Sequence, residues 1–278
     1  MQPEGLPTLD RFFDRLYAPY HDMQLHMDEL PENADDDVLM ARDFEQGSKD
    51  LIIRQVLRGL RPRSGLAGRR LLDVGAHVGR LLWLAAQDGW SVEGLELNKK
   101  TAAFAHLRTG ARITTSTLLD FAPSRQTAFD AITIIDVLEH IPHPLPVLRQ
   151  IFELLVPGGK IAVKVPCGPG QLAKEWLRSR LQPSYEFTIA RNMYHVSHFG
   201  PRSLRLSLER AGFEGVQFQP ALPEFFRSSS FKGSIRAVPV NAVRWMHYWL
   251  CSIPIFRQSA ILNLHLLAFA TRPAERVG

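Results

Sequence analysis

Two carboxylates and two glycines between Leu71 and Glu96 have the types and spacing of a ligand site. The stretch reads LLDVGAHVGRLLWLAAQDGWSVEGLE, in which a short apolar run ends at Asp73 and a turn holds Gly75 and Gly79. An apolar helical segment follows, and a second β-rich run ends at Glu96. Strand, glycine turn, helix and strand with an acid at its tip predict a βαβ unit that holds a nucleoside-like ligand.

The spacing of these residues also indicates which nucleoside the unit would bind. The turn departs from the G-x-G-x-x-G of dinucleotide sites, and a carboxylate at Asp73 would repel a pyrophosphate. An acid there suits a positive ammonium group instead, and glycines without Cβ atoms would let the ligand approach. Glu96 is placed to accept hydrogen bonds from ribose hydroxyls. A nucleoside with a charged amino-acid tail is S-adenosylmethionine.

The rest of the chain alternates strands and helices, which predicts an α/β sheet with right-handed crossovers. Beyond the βαβ unit, strands are expected at 112–117, 129–136, 160–166, 213–218 and 261–271. Helices are expected at 45–58, 99–109, 142–155, 168–181 and 201–211, with Asn98 as a helix N-cap, Gly110 as a helix stop and a tight turn at 157–159. Within residues 1–44, a short helix is expected around residues 12–20 and a solvated acidic loop at 35–37.

Several stretches in this order resemble the class I S-adenosylmethionine-dependent methyltransferases, and most closely their small-molecule branch with the UbiG-like and UbiE-like enzymes. They are LLDVGAHVGR at 71–80, Glu96 at a strand end, FDAITIIDVLEHIPHP at 129–144, LLVPGGKIAVKVP at 154–166 and HVSHFGPRSLRLSLERAGF at 195–213. The resemblance covers about residues 45–219 and the last strand. It implies a Rossmann-like, seven-stranded, mostly parallel sheet with an antiparallel last strand and helices on both faces.

The same resemblance implies S-adenosyl-L-methionine as the cofactor and assigns residues to it. The methionine end would lie against the glycine turn, the ribose against the second strand tip, the adenine against residues 117–118, and the methyl group near the fourth strand tip. The implied contact residues are Asp73, Gly75, Ala76, His77, Gly79, Glu96, Leu97, Thr117, Leu118 and Asp136. His77 stands where the family has a middle glycine, and Thr117 where it has an aspartate.

Three histidines are candidates for a general base. His195, His198 and His140 can each remove a hydroxyl proton, because imidazole titrates near neutral pH. Two alternatives stay open: Glu139 and His140 could brace the following helix, and an in-line displacement can proceed by positioning alone. The two cysteines lack the spacing of metal ligands, and no metal site is predicted.

Residues 220–259 mix aromatic and basic side chains and are expected to be irregular. They could form a substrate cap, an interfacial helix near 243–250 on anionic lipid, or an extra helix pair packed on the sheet. The formal charge of +5 favours acidic partners, although a basic balance this modest is more often just a solvated surface. The sequence contains no basic block with interleaved aromatic residues, so nucleic-acid binding is not expected. The expected acceptor is a small molecule, a lipid-linked compound or a glycan, methylated on oxygen.

The expected organisation is a helical lead-in at 1–44 and a methyltransferase domain at 45–278, with 220–259 inserted between the last two strands. The start of the chain does not look like a signal peptide, and no apolar run approaches the roughly 20 residues of a membrane span. A cytoplasmic protein is therefore expected, with peripheral membrane contact as an option. The rival hypotheses are a non-catalytic methyltransferase-like adaptor and a nicotinamide-dependent oxidoreductase.

Overall fold

The computed structural model describes residues 36–61, 69–121, 129–182, 184–185, 195–225 and 231–274. The short helix predicted around residues 12–20 lies outside these ranges. Across the described ranges, no helix is both long enough and apolar enough to cross a membrane.

A single sheet carries the strand tips that the sequence singled out. Its strands are β1 Arg70–Val74, β2 Ser91–Leu95, β3 Arg112–Thr114, β4 Phe129–Ile135, β5 Leu155–Pro166, β6 Glu214–Gln219 and β7 His265–Thr271. They lie in the order β3-β2-β1-β4-β5-β7-β6. Pairing is parallel from β3 through β5, and β7 runs antiparallel to both of its neighbours. The predicted seven-stranded, mostly parallel sheet is confirmed.

Helices cover both faces of this sheet. They are α1 Asp36–Gln46, α2 Asp50–Leu60, α3 Arg80–Gln87, α4 Lys99–Thr109, α5 Leu118–Phe121, α6 Pro144–Leu154, α7 Gly168–Leu181, α8 Pro201–Arg210 and α9 Phe231–Ser252. One apolar core joins α6 and α8 to the sheet, and a second joins α2 and α3 to it. Because parallel strands run between two cores, they read as continuous apolar sequence.

The boundaries of α4 follow directly from its sequence. The Asn98 side chain accepts hydrogen bonds from the backbone N–H groups of Lys100 and Thr101, as an N-cap does. Gly110 ends the helix at φ 67°, in the left-handed region that favours glycine. Both predictions for this helix are confirmed.

The prediction of a solvated loop at 35–37 is wrong for the described residues, because α1 begins at Asp36. Leu39, Met40 and Phe44 of α1 form a buried cluster with Val78, which lies in the glycine turn. Packing against a distant part of the chain therefore stabilises the helical conformation of α1. Moreover, α1 runs across the predicted boundary between residues 44 and 45.

The tight turn predicted at 157–159 is also wrong, because β5 already begins at Leu155. Gly158 N–H donates to Arg272 O, and Arg272 N–H donates to Gly159 O. The glycines thus form an irregular part of the strand next to the end of β7. At the other edge, β3 ends at Thr114, so Thr117 lies beyond the strand predicted to contain it.

The segment 220–259 is not irregular, since α9 forms 22 residues of helix within it. The hydrophobic periodicity of the sequence did not reveal this helix, because both of its faces carry apolar side chains. The exposed face includes Met246 and Trp249, while Cys251 is buried on the inner face. A pattern method that expects a polar outer face finds no helical period in such a sequence.

Gly59 near the end of α2 generates a prediction about stability. A Cβ at this position would collide with the Phe269 ring of β7. Alanine favours a helix over glycine by about 1 kcal/mol, whereas overpacking a core costs about 1–3 kcal/mol. We expect Gly59→Ala to lower the free energy of unfolding, measured by urea denaturation. In a Phe269→Leu background the same change should stabilise the protein, and equal effects in both backgrounds would contradict the predicted clash.

Candidate active site

The glycine turn after β1 takes its shape from backbone hydrogen bonds and positive φ angles. The N–H groups of Gly75 and Ala76 both donate to the carbonyl of Leu95, at 2.9 and 2.8 Å. Gly75 has φ 81°, His77 has φ 48° and Gly79 has φ 80°. His77 therefore occupies the left-handed conformation that suits glycine better. The turn ends where Gly79 becomes the N-cap of α3.

The space beside both glycines is filled by the chain itself. A Cβ at Gly75 would collide with Val137, and one at Gly79 would lie 2.9 Å from Thr109 Cγ2 and 3.0 Å from Ala105 Cβ. The sequence suggested that the missing side chains make room for a ligand. The described contacts give them another role, which is to let α4 and the segment after β4 pack closely against the turn.

Glu96 joins three elements at the end of β2. Its Oε2 accepts a hydrogen bond from His77 N–H at 2.8 Å, and its Oε1 accepts one from Asn98 N–H at 2.9 Å. The residue is only 7% exposed. A carboxylate can accept about four hydrogen bonds, so each oxygen of Glu96 retains acceptor capacity for a ligand hydroxyl.

Asp73 lies inside the sheet, between Gly94 of β2 and Thr133 of β4. It is 3% exposed, and the Thr133 hydroxyl donates to its Oδ1 at 2.6 Å. Burial is the main reason that the pKa of Asp73 rises to about 7. The hydrogen bond from Thr133 opposes this rise, and the nearby charge of Glu96 adds to it. A cationic ligand would favour the ionised form of this carboxyl.

Helix α1 closes over the glycine turn. Asp43 Oδ2 lies 3.5 Å from His77 Nδ1, and Leu39 and Phe44 pack near Val78. Burial lowers the pKa of His77 against the opposing charge of Asp43. Sequence reasoning missed Asp43, because nothing in its local sequence connects it with a turn more than 30 residues away.

Four other residues predicted to contact the cofactor differ in their surroundings. Leu97 is 45% exposed, whereas Leu118 is 6% exposed and belongs to the main core. Thr117 is exposed at the start of α5, and its hydroxyl donates to Asp120 Oδ2 at 2.6 Å. Ala76, which was also predicted to contact the cofactor, is buried beside the turn.

Asp136 at the end of β4 is held by two lysines. Lys164 Nζ lies 2.8 and 2.9 Å from its two oxygens, and Lys49 Nζ lies 3.2 Å from Oδ2. Lys164 also contacts Glu224 Oε1 at 3.1 Å. Burial opposes the charge of Asp136, but Lys164 and Lys49 hold its pKa well below the usual range. The backbone of Asp136 also adopts the left-handed conformation, with φ 55°.

Sequence reasoning missed Lys164, although it left a signal. The lysine interrupts the apolar strand KIAVKVP, and its side chain is 2% exposed. Lysine is almost never fully buried unless it is paired. A charge in the middle of a strand buried on both faces therefore indicates a partner elsewhere in the fold.

The three predicted histidines come together near β4. The ring centroids of His140 and His195 are 5.1 Å apart, and those of His195 and His198 are 6.4 Å apart. Glu139 Oε1 lies 3.9 Å from His195 Nε2. Burial, together with His140 and His198, lowers the pKa of His195 to about 4.

Backbone contacts hold this cluster in place. A short 3₁₀ helix, Leu138–His140, follows β4 and presents Glu139 and His140. Ser197 N–H donates to Glu139 O, and the Ser197 hydroxyl donates to Ile141 O, both at 2.8 Å. The segment that carries His195 and His198 is thereby tied to the end of β4.

The cluster has the composition for two kinds of chemistry. An imidazole with a lowered pKa is unprotonated at neutral pH and can accept a proton. In addition, ligand atoms of Glu139, His140 and His195 all lie within 4.8 Å of one another. One carboxylate and two imidazoles form a donor set that suits a divalent transition-metal ion. Sequence reasoning did not recognise this set, because it joins residues more than 50 positions apart.

Comparison with protein families and curated proteins gives a consistent result. A family model described as "Methyltransferase domain" matches residues 44–218, which is more than half of the chain. A ubiquinone biosynthesis O-methyltransferase from Vibrio parahaemolyticus is 36% identical over 107 residues, covering 37% of this chain and 46% of that protein. Its counterpart from Pseudomonas fluorescens is 36% identical over 107 residues, covering 36% and 45%. The chain therefore matches less than half the length of these relatives.

Solved structures resemble the fold over most of the chain. A SAM-dependent methyltransferase from Archaeoglobus fulgidus has a TM-score of 0.52 at 19% identity, covering 84% of this chain and 98% of that one. Phosphoethanolamine N-methyltransferase 2 from Haemonchus contortus has a TM-score of 0.54 at 16% identity, covering 88% and 62%. Likeness at this level of identity establishes the fold, which is the Rossmann-like methyltransferase fold.

Glu139 generates a prediction about pH. Burial and Asp136 raise its pKa from 4.5 to about 8. The folded protein therefore keeps a proton that the unfolded chain releases, and the free energy of unfolding should fall as the pH rises from about 4.5 to 8. Glutamine does not titrate, so Glu139→Gln removes this loss. The free energy of unfolding of the variant should therefore increase relative to that of the wild type between about pH 6 and pH 8.

Urea unfolding midpoints measured across that range test the prediction. The matched control is Glu153→Gln, which replaces an exposed carboxyl at the end of α6. Asp73 is unchanged in all three proteins, so its own titration cancels in the comparison. A difference between Glu139→Gln and wild type that stays constant with pH would contradict the raised pKa.

Proposed function

The chain belongs to the methyltransferase domain family, and from that premise we propose that it transfers a methyl group from S-adenosylmethionine to an oxygen atom of a small acceptor. The observation that carries the proposal is the pair of buried carboxylates, Asp73 and Glu96, beside the glycine turn. Burial, and to a smaller extent the nearby charge of Glu96, raises the pKa of Asp73 to about 7. A ligand that brings both a cation and hydroxyl groups would relieve the cost of burying these charges.

This chemistry separates S-adenosylmethionine from the nicotinamide cofactors. We assign the ammonium group of the methionine tail to Asp73 and the ribose hydroxyls to Glu96, with the turn 75–79 between them. A dinucleotide would place its pyrophosphate at the glycine turn beside Asp73, which is electrostatically unfavourable. Glu96 could accept a hydrogen bond from a ribose in either cofactor, so Asp73 is the residue that discriminates. The remaining predicted contacts, at Leu97, Thr117, Leu118 and Asp136, stay part of the proposal.

For the reaction we propose an in-line displacement. The acceptor oxygen forms a bond to the methyl carbon while the carbon–sulfur bond breaks and its electron pair stays on sulfur. The acceptor hydroxyl loses its proton to a base, for which we propose His195, because its low pKa keeps the imidazole free to accept a proton. Orientation supplies much of the rate in such a reaction, and the Lys164–Asp136 ion pair fixes the end of β4 beside the site.

We further propose that the acceptor is a lipid-linked molecule, with a free small molecule or a glycan as alternatives. The curated relatives named above are O-methyltransferases of ubiquinone biosynthesis, which supports an oxygen nucleophile. Residues 220–259 would then lie at the acceptor side of a methyltransferase domain that spans 45–278. The protein would be cytoplasmic and would contact the membrane surface without spanning it. Methyl transfer from labelled cofactor into a cell extract, followed by product identification, would name the acceptor.

The cofactor assignment predicts specific losses of affinity. Asp73→Ala and Glu96→Ala should each weaken binding of S-adenosylmethionine at least tenfold, about 1.4 kcal/mol, in calorimetric titration. Asp88→Ala, which removes a surface ion pair at the far end of α3, is the matched control and should not change the affinity. Saturable binding of NAD but not of S-adenosylmethionine would favour the oxidoreductase, and binding of neither would favour the adaptor.

The base assignment predicts an effect on rate alone. His195→Gln should lower kcat by about 100-fold or more while the cofactor affinity stays unchanged. His143→Gln, an exposed histidine before α6, is the control. Because the pKa of His195 is about 4, the wild-type rate should be level above about pH 6. A rate that instead rises with a midpoint near pH 8 would assign the base to Glu139.

Chelation separates proton transfer from metal chemistry in the same cluster. With His195 as the base, EDTA should leave the rate unchanged. Loss of activity in EDTA that added Mn²⁺ or Zn²⁺ restores would show that Glu139, His140 and His195 hold a cation instead, and the base assignment would then fail.

A further inference from the structure

Helix α9 carries an apolar stripe on its outer face. Met246 is 68% exposed, Trp249 is 65% exposed and Val243 is 59% exposed. The exposed positions recur every three or four residues, as positions on one side of a helix do. The apolar residues among them on this side are Pro239, Ala242, Val243, Met246, Trp249 and Leu250, with Ile253 just after the helix; we name these the α9 stripe, and the exposed Val238, Val240 and Arg244 lie outside it. None of the side chains in the α9 stripe carries a charge.

The opposite face of α9 makes the contacts with the rest of the chain. Cys251 is 2% exposed, and His247 Nε2 lies 2.7 Å from Leu262 O. Arg244 donates to Glu224 O at 2.7 Å, and Trp245 packs near Phe225 at 6.3 Å between ring centroids. The helix is therefore held to the chain without using the α9 stripe, and packing among the residues that the structure describes does not account for the stripe.

The apolar surface continues past the end of the helix. Ile255 is 80% exposed and Ile261 is 65% exposed in the connection to β7. A contiguous apolar surface of this kind marks an interaction site on a soluble protein.

The charges around the stripe indicate what it meets. From Phe225 to Ala274 the sequence contains no aspartate or glutamate. The basic residues of this segment before β7 are Arg227, Lys232, Arg236, Arg244 and Arg257, whereas Arg272 lies beyond β7 and donates to the carbonyls of Phe152 and Leu155. An apolar helix face within a basic, acid-free segment is complementary to a surface that is apolar inside and negative outside.

We propose that the α9 stripe docks on the surface of an anionic lipid bilayer. Trp249 would lie at the interface, where the indole has an apolar environment for its ring and water for its N–H. Met246, Val243 and Leu250 would enter the boundary between headgroups and acyl chains, while the basic residues attract acidic lipids. The helix lies on the bilayer and does not span it.

This docking places the proposed methyl-transfer site next to the membrane. Arg244 of α9 contacts the backbone of Glu224, whose side chain contacts Lys164, which in turn binds Asp136. The assignment of a lipid-linked acceptor rests on the proposed function, and such an acceptor would reach the site from the bilayer. Docking itself is measured without any acceptor or cofactor, so the two proposals can fail separately.

Vesicle co-sedimentation of the full chain tests the docking. We expect binding to vesicles made of equal parts phosphatidylcholine and phosphatidylglycerol, and at least tenfold weaker binding to vesicles of phosphatidylcholine alone. Added salt should weaken the binding because it screens the basic segment. Met246→Glu combined with Trp249→Glu should reduce binding to the anionic vesicles at least tenfold.

Leu107→Glu is the matched control, since Leu107 is 82% exposed on α4, away from the stripe, and its binding should equal that of the wild type. Ile255→Glu, in the connection after the helix, provides a second variant that should reduce binding without touching a helix. Thermal unfolding of each variant verifies that it is folded.

Three results would overturn the docking proposal. They are absence of wild-type binding, equal binding by the stripe variants, and a wild-type dimer that the Met246 and Trp249 substitutions dissociate while vesicles are not bound. Vesicle binding without methyl transfer would instead leave the docking intact and count against the proposed function.

Discussion

The geometry of the glycine turn depends on the hydrogen bonds that the carboxylate of Glu96 accepts. This carboxylate accepts hydrogen bonds from His77 in the glycine turn and from Asn98 at the start of α4, so β1, β2 and α4 meet at one side chain. His77 is also the point where α1 reaches the turn through Asp43. A neutral side chain at position 96 would leave two backbone N–H groups in a buried place without an anionic acceptor.

The acids at the carboxyl edge of the sheet fall into two electrostatic classes. Asp136 is neutralised by Lys164 and Lys49, which fix it as a structural charge at the end of β4. Neither Asp73 nor Glu139 contacts a lysine directly in the described residues, and burial outweighs the hydrogen bond from Thr133 to Asp73 and the more distant charges of Lys164 and Lys49 near Glu139, so their pKa values rise to about 7 and 8. Carboxyls held near neutrality are ready to bind a cation or to exchange a proton, and for that reason the two candidate ligand positions lie at Asp73 and at Glu139.

The acceptor side is built from parts that are distant in sequence. Glu224 precedes α9 and contacts Lys164 in β5, so the helix is linked to the Lys164–Asp136 ion pair at the end of β4. An exposed apolar stripe costs solubility, and a fold retains one where another surface covers it. The same helix thereby connects the site for a proposed lipid-linked acceptor with the surface on which that acceptor would reside.

Local sequence determined the parts whose physics is local. The alternation of apolar strands and helices predicted the sheet, and Asp73, Glu96 and Asp136 were recognised because each follows an apolar run at a strand end. Only the tertiary structure decided that Lys164 neutralises Asp136 and that the helix considered near 243–250 extends over Phe231–Ser252 with an apolar outer face. A charge in a buried strand needs a partner that chain order does not reveal, and a helix apolar on both faces has no amphipathic period to detect.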